Sequence, residues 1–431
     1  MSDTRLVEEA AVSEPDVTTP PSGGSFGRLL RVTEIDTRLI GMLVALAVLW
    51  VGFHILSGGT FLTPRNLWNL SVQTAVVAIM ATGMVMVIVS RNIDLSVGAM
   101  LGVIGMGIAV LQAEILPDIL GFGHWSIWLI ALAAAVAMGA FIGAFQGAII
   151  AYVGVPSFIV TLGGLLVWRG AAWAMASGRT IAPMDATFQL IGGGARGSIG
   201  GQASWVVGIL GCLGVVAILL NGRRQRRRFG FQLRPTWVEV SLAVFGCTAI
   251  LAGIFFINRY YKPAGLADGA TDVPYGLAFP VLITIVVGLV MWFVANRTRF
   301  GRYVFAIGGN PEAAELGGIN TRWMIVKTFM VMGILVGVAA AVQVARLNAA
   351  TSGLGTLAEL YVIAAAVIGG TSFTGGIGTI PGAVLGALVM QSLQSGMVLM
   401  GVDAPIQDIV VGFVLVVAVA IDTVYRRRVA R

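Results

Sequence analysis

Apolar runs long enough to cross a lipid bilayer recur along this chain and constrain its fold more than any other feature. About 20 consecutive apolar residues span the hydrocarbon core of a membrane. Charged residues make up 11% of the 431 residues, whereas soluble domains carry about 25%. We therefore predict an all-α integral membrane protein, a polytopic helix bundle with about 12 transmembrane segments, some short or broken. The predicted segments are Leu39–Leu56, Leu70–Val89, Leu95–Leu116, Ile127–Ala151, Ser157–Met175, Trp205–Leu220, Val238–Ile257, Leu277–Val294, Met324–Leu347, Leu357–Phe373, Ile380–Leu399 and Ile406–Thr423.

Arginine clusters between these runs predict the orientation of the chain. Arg223–Arg228, Arg297–Arg302 and Arg426–Arg428 occur beside predicted spans, and short basic loops remain on the cytoplasmic side. Crossing at every predicted segment places all three clusters and both termini in the cytoplasm. Leu357–Phe373 is short and carries Glu359. Omitting this segment alone would move the last cluster outside, so we expect a short or half-inserted crossing there.

The chain divides into a polar tail and one transmembrane domain. Residues 1–38 are rich in Ser, Thr, Pro, Gly and acidic residues and lack the apolar core of a signal peptide, so we predict a disordered cytoplasmic tail. Residues 39–431 form the predicted transmembrane domain. Two spans flank the arginines at 223–228 tightly, which disfavours a nucleic-acid partner and favours contact with membrane lipid.

A short polar stretch between two spans, Gly308–Gly318, predicts a capped surface helix. Asn310 is a good N-cap, and Pro311 stands at the first helical position, where its missing N–H is harmless. Glu312 lies in the first turn, where the helix dipole favours an acidic side chain, and Gly317 supplies a stop. Such a short helix on a membrane protein indicates a surface presented to a partner. An ordinary loop helix is the alternative.

Two polar interruptions occupy corresponding places in the two halves of the chain. They are Arg91–Gly98 and Gly369–Thr379, and helices rich in small residues follow both, at Gly98–Gly102 and Gly382–Gly386. Small residues let helix backbones approach closely. Interrupted helices in matching positions point to a transport site. Tight cytoplasmic turns with close helix packing remain the alternative.

The sequence lacks the residues that would power transport from within the chain. Its only lysines, Lys262 and Lys327, do not fit the Gly-x-x-x-x-Gly-Lys-Ser/Thr phosphate loop. We expect no ATP hydrolysis by this chain, and no catalytic residue, metal site or cofactor in it. Its carboxylates stand near predicted span ends, unlike the mid-membrane acids of proton-driven carriers. Energy from a separate subunit is therefore favoured, and a self-powered secondary sugar carrier is the alternative.

Small polar side chains in or beside the spans are candidates to line a path for a neutral polyhydroxylated solute. Sugars are held by hydrogen bonds, although each such residue is, singly, more often an interhelical contact. Arg169 is the one basic residue well inside a span, where it either snorkels outward or faces the bundle interior. Gln343 and Gln391 are further candidates for this lining. The predicted path residues are Asp94, Ser96, Gln146, Thr161, Arg169, Asn348, Thr371 and Ser372.

These motifs together resemble one family. The chain is similar to the membrane permease subunit of bacterial monosaccharide ABC importers, the ribose/xylose/galactose group. The resemblance covers nearly everything from about Phe61 to the C-terminus and is specific to the group, not to one sugar. The segments that carry it are Ile93–Gly98, Val155–Gly163, Thr298–Arg302, Ala306–Asn310 with Glu312–Ala314, and Ile368–Ser372 with Gly375 and Gly376.

The resemblance implies a multi-pass protein of the bacterial inner membrane that acts with several partners. These are a cytoplasmic tandem-domain sugar ABC ATPase that binds ATP and Mg²⁺, a periplasmic sugar-binding protein, and a second permease copy in a homodimer. Residues 296–322 become the coupling segment. The residues implied to contact the ATPase are Gly308, Gly309, Asn310, Pro311, Glu312, Ala313, Ala314 and Gly317.

A predicted inserted hairpin, residues 204–257 with its arginine-rich loop, bears on the substrate. Shorter ribose-type permeases lack it, and D-xylose permeases resemble this chain in carrying it. The resemblance therefore indicates D-xylose. Arabinose or another pentose or hexose remains open, because the binding protein performs most of the sugar selection in such systems.

Overall fold

A computed structural model describes residues 37–194, 196–263 and 272–429. Its regular elements in these ranges are helices, and α3 and α4 each contain one π-helical turn, at Leu111–Ile115 and Ile149–Val153. The helices are α1 Thr37–Leu56, α2 Pro64–Val89, α3 Val97–Leu120, α4 Ile127–Val153, α5 Ser157–Ala176, α6 Ala186–Ile191, α7 Gly200–Arg228, α8 Thr236–Asn258, α9 Phe279–Arg297, α10 Arg299–Gly309, α11 Pro311–Leu316, α12 Thr321–Leu347, α13 Ala358–Ile368, α14 Ile380–Leu399 and α15 Ala404–Val429.

The predicted polytopic helix bundle is confirmed. Within the described ranges, 10 helices are long and apolar enough to cross a membrane, and two shorter apolar helices accompany them, Ala358–Ile368 and Ala404–Ala420. Each predicted segment corresponds to one of these helices. The predicted tail, residues 1–38, lies outside the described residues except for its last two, which begin α1.

α2 forms the centre of the bundle. Every residue from Thr74 to Val89 is buried, and α2 contacts α9, α12, α13 and α14. A helix surrounded on all sides becomes apolar all round. α2 begins at Pro64, six residues before the predicted start at Leu70, because its first two turns carry polar side chains that an apolar-run criterion excludes.

Contacts at the helix ends define two sides of the molecule. Trp68, near the start of α2, donates from Nε1 to the carbonyl oxygen of Gly276 over 2.9 Å and packs against Tyr260 and Tyr275. This cluster therefore joins the start of α2 to the end of α8 and the start of α9. We call this the far side, and the opposite side, which holds Arg223–Arg228, the arginine-rich side.

Glycines allow the close backbone packing that the sequence predicts. A Cβ at Gly98 would overlap the carboxylate of Glu359, and one at Gly386 would overlap the carbonyl oxygen of Ala365. α4 and α12 also approach backbone to backbone, with Gly139 against the carbonyl of Gly333. In lipid the hydrophobic effect does not drive helices together, so close backbone packing of this kind stabilises their association instead.

α13 is a half-length helix that begins inside the protein. Its 11 residues cover about 16 Å, roughly half of the hydrocarbon thickness. The preceding segment, residues 348–357, descends from the far side until Gly355 packs against Gly98 of α3. The predicted short or half-inserted crossing is therefore a descending loop followed by a short helix.

Candidate solute cavity and coupling surface

A cavity of about 510 Å³ lies between the far-side halves of α2, α12 and α14. This size falls in the roughly 300–1,000 Å³ range of small-molecule sites. The segment before α13 and its first turn contribute to its wall, through Gly355, Thr356, Ala358 and Tyr361. The polar side chains that line it are Asn66, Asn69, Gln73, Gln343, Arg346, Thr356, Tyr361, Gln391, Gln394 and Ser395.

Helical periodicity brings these polar groups to one place. Asn66, Asn69 and Gln73 are three and four residues apart on α2, so they share a face. The same spacing aligns Gln391, Gln394 and Ser395 on α14, and Gln343 and Arg346 on α12. Three otherwise apolar helices therefore each direct a polar stripe at the cavity.

Several of these groups are free to bind a solute. Gln391 donates to Gln394 over 3.1 Å, and Ser395 donates to Asn66 over 3.3 Å. The side-chain amides of Asn69, Gln73 and Gln343, by contrast, make no hydrogen bond to other described residues. Each amide offers both a donor and an acceptor. The lining can therefore match hydroxyl groups, which also donate and accept.

Arg346 gives the cavity its only charge among the described lining residues. Its Nε is buried and has no hydrogen-bond partner in the described part of the chain. No carboxylate lines the described wall. The planar guanidinium presents donors in a fixed fork, so it can hold two neighbouring oxygen atoms of a neutral or anionic solute.

Four of the predicted path residues form a separate buried network near the start of α3. The Ser96 amide and hydroxyl donate to Asp94 Oδ1 over 2.9 and 2.6 Å, and the same hydroxyl lies 3.0 Å from Gln146 Oε1. Thr161 donates to the Ser157 carbonyl over 2.9 Å and lies 3.3 Å from that of Ile93. This network fixes the break between α2 and α3.

Burial sets the charge state of Asp94, whose side chain is 1% exposed. Loss of solvation raises the pKa of this carboxyl to about 6, against the lowering effect of the two Ser96 hydrogen bonds. A carboxylate desolvated in this way keeps its charge at neutral pH only because those donors partly replace water.

The other four predicted path residues lie apart from the cavity. Asn348 accepts from the Met184 amide over 2.8 Å on the far side. Ser372 lies 2.7 Å from Thr374 in the loop between α13 and α14, and the Thr371 hydroxyl is buried beside it without a partner among the described residues. Arg169 lies on α5, where its Nη2 is buried and has no hydrogen-bond partner within the described ranges.

None of the eight predicted path residues lines the cavity, whereas the two further candidates, Gln343 and Gln391, do. The sequence does contain a signal for the remaining polar residues that line the cavity. Amides spaced by three and four residues within an apolar helix indicate a polar stripe, and the three helices α2, α12 and α14 each contain one.

The predicted surface helix is present as α11, with the expected cap. Asn310 Oδ1 accepts from the Ala313 amide over 3.0 Å, Pro311 begins the helix, and Gly317 caps its end. The left-handed residue that turns the chain is Gly318, with φ of 82°. Leu316 is 90% exposed. An apolar side chain held outward on a short capped helix suits a protein contact.

α11 is joined to the bundle at a junction of three segments. These are the end of α2 at Val89, the end of α10 at Gly308 and the loop that contains Gly376. A Cβ at Gly308 would overlap the carbonyl oxygen of Val89, at the end of α2. Gly376 also donates to that carbonyl over 3.0 Å. Arg91 donates from Nε to Gly308 over 2.8 Å and from Nη2 to Gly309 over 2.7 Å. No sequence pattern predicts this role for Arg91.

The sequence profile of one family matches residues 66–419, most of the chain. Its description is "Branched-chain amino acid transport system / permease component". The chain belongs to this permease family. No solved structure matches it.

Curated relatives of this permease align over nearly its whole length. It is 36% identical to the xylose transport system permease protein XylH of Escherichia coli, over 96% of this chain and 98% of the relative. It is also 36% identical to XylH of Haemophilus influenzae, over 93% and 100%. The ribose import permease protein RbsC of Escherichia coli is 33% identical, over 88% and 92%.

The cavity and the junction of this permease are joined by the same helices. α2 runs from Asn66 at the cavity to Val89 at the junction, and α12 runs from Thr321, just after α11, to Arg346 at the cavity. α14 follows the loop that contains Gly376. A displacement of α11 would therefore reach α12 directly, and α2 and the loop before α14 through the end of α10.

Proposed function

We propose that this permease forms the transmembrane path of an ABC importer for a monosaccharide, with D-xylose the preferred substrate. The observation that carries the proposal is the cavity. Its lining includes one arginine and three amides that make no hydrogen bond to other described residues, which suits a neutral molecule rich in hydroxyl groups. The relatives named for xylose and ribose transport support the substrate class.

The family description names branched-chain amino acids, and the cavity argues against that substrate class. Aliphatic side chains bind in apolar pockets, since burying unpaired amides against a hydrocarbon group costs free energy. The stripes on α2, α12 and α14 place amides in this cavity, beside the apolar lining residues Val76, Val77, Met80, Leu101, Val398 and Leu399. A sugar satisfies those amides.

The arginine clusters orient the permease in the bacterial inner membrane. Short basic loops remain in the cytoplasm, so the arginine-rich side and α11 face the cytoplasm. The cavity is therefore on the periplasmic half. In this position it receives sugar released by a periplasmic sugar-binding protein.

The energy comes from an ATPase subunit that binds ATP and Mg²⁺. α11 presents Glu312, Glu315 and Leu316 at the cytoplasmic surface, and we assign it as the docking element. Motion of α11 passes through Gly308 and Arg91 to α2, which opens or closes the cavity wall. A tandem-domain ATPase offers two docking sites, so two permease copies complete the importer.

Reconstitution tests this function. Proteoliposomes that contain the permease, its ATPase and its binding protein should accumulate labelled D-xylose only with ATP, and faster than arabinose or ribose. Glu312→Arg, on the exposed first turn of α11, should reduce uptake at least tenfold without changing the thermal unfolding midpoint of the permease. Accumulation by the permease alone, driven by a proton or sodium gradient, would instead establish a secondary carrier.

A further inference from the structure

The hairpin of α7 and α8 ends in a charged loop that reaches beyond the hydrocarbon core. α7 has 29 residues and is about 43 Å long, which exceeds the core thickness of about 30 Å. Its apolar part ends at Leu220. The next two turns, up to Arg228, therefore lie at the depth of the lipid headgroups. We call residues 221–239 the arginine loop.

The arginine loop carries positive charge that no salt bridge among the described residues neutralises. It contains six arginines and one glutamate. Glu239 pairs with Arg223 over 2.6 Å, and this pair is partly buried. Arg224, Arg227 and Arg228 are exposed and form no salt bridge with described residues.

Exposed aromatic rings stand beside these arginines. Phe229 is 68% exposed, Phe231 67% and Trp237 54%. Aromatic and basic side chains together mark the interface between lipid and water. The walls of the hairpin are also apolar and open, with Leu210 61% and Phe245 63% exposed. The bilayer that covers these walls holds the arginine loop against the headgroups.

We propose that the arginine loop binds the headgroups of acidic phospholipids in the cytoplasmic leaflet. Its free guanidinium groups match phosphate in charge and geometry. Its aromatic rings enter the acyl boundary at the same depth. Each basic residue near an acidic membrane surface strengthens binding by about fivefold. The bound lipid anchors the end of the hairpin, whose other end packs on Trp68 of α2.

Lipid titration of the purified full-length permease tests this site. Native mass spectrometry counts bound phosphatidylglycerol, with zwitterionic phosphatidylcholine as the comparison. The wild-type protein should prefer phosphatidylglycerol at least tenfold, and less so at high salt, because salt screens exposed charges. Arg224→Gln/Arg227→Gln/Arg228→Gln should weaken phosphatidylglycerol binding roughly 10- to 100-fold. Glu239→Gln, which frees Arg223, should strengthen it.

A matched variant separates the loop from charge in general. Arg65→Gln/Arg179→Gln/Arg259→Gln removes three exposed arginines from the far side and should leave phosphatidylglycerol binding within twofold of wild type. Equal binding of the two lipids by the wild-type protein would overturn the proposal. The proposal would also be overturned if the triple loop variant kept its preference for phosphatidylglycerol but lost bound nucleic acid. The same holds if it kept that preference but no longer co-purified with the ATPase.

Discussion

Polar side chains at the helix breaks form hydrogen bonds with backbone groups. Arg91 donates to two carbonyls, Asn348 accepts from an amide, and Asp94 accepts from Ser96. The membrane interior supplies no water to broken helices, so side chains must satisfy the open backbone groups. The solute path predicted from the sequence includes Asp94 and Asn348 but not Arg91, and that assignment stays a prediction. Their hydrogen-bonding capacity is largely used, whereas that of Gln73 and Gln343 is not.

The carboxyl of Asp94 should make stability depend on pH. Its folded pKa is about 6, against an ordinary value of 3.8. Between these values the folded protein holds a proton that the unfolded chain has released. Its stabilising effect is therefore fully present below about pH 4 and is lost as the pH rises to 6, a change of about 3 kcal/mol. Denaturant unfolding in detergent from pH 4 to 8 measures it.

Comparison with Asp94→Asn isolates this carboxyl from the others. The variant cannot titrate at this position, so its stability relative to wild type should rise by about 3 kcal/mol between pH 4 and 6 and stay constant above. Asp118→Asn, at an exposed position on the far side, should follow the wild-type curve. A constant difference between Asp94→Asn and wild type across the whole range would contradict the buried titration.

Capping and stop signals within a few residues predict α11 but do not predict how α11 is attached to the bundle. The cap, the proline and the terminal glycine act within a few residues, so sequence alone defined this helix. The junction instead depends on Val89, Gly308 and Gly376, which are far apart in the chain and meet only in the fold. No pattern near Gly308 distinguishes it from its neighbour Gly309.

Replacement of these two neighbouring glycines should therefore have different effects. Gly308→Ala places a Cβ on the carbonyl of Val89, and such overpacking costs about 1–3 kcal/mol. Gly309 has open space where a Cβ would lie, so Gly309→Ala should leave stability within about 0.5 kcal/mol. Unfolding by denaturant measures both, and ATP-driven uptake should fall further for Gly308→Ala than for Gly309→Ala. Equal stability losses would contradict the junction.

Hydrophobicity predicts the helix bundle but not the cavity. Runs of apolar residues define where helices cross, and each predicted segment is a helix. The same criterion places Asn66 outside the predicted segment and gives no meaning to Gln73 inside it. The cavity exists because stripes on α2, α12 and α14 face each other, and which helices are neighbours is decided by packing. Sequence order places α2 far from its partners α12 and α14.

The cavity assignment predicts a loss of transport without a loss of coupling. Gln73→Leu/Gln343→Leu removes two cavity-lining amides that have no hydrogen-bond partner in the described part of the chain. Each neutral hydrogen bond contributes about 1 kcal/mol, so the rate of D-xylose uptake should fall roughly 10- to 50-fold. The permease should still assemble with its ATPase, because α11 and the Gly308 junction are unchanged. Uptake and ATP hydrolysis measured in the same proteoliposomes distinguish the two effects.

A matched substitution on the arginine-rich side completes this experiment. Gln225→Leu also replaces a glutamine, at an exposed position outside the cavity, and should transport D-xylose within twofold of wild type. Normal uptake by the double variant would show that sugar crosses elsewhere, since an apolar wall in its path could not replace the lost hydrogen bonds. Loss of both uptake and ATP hydrolysis would instead mean that the cavity residues are needed for the folded structure that connects α2 to α11.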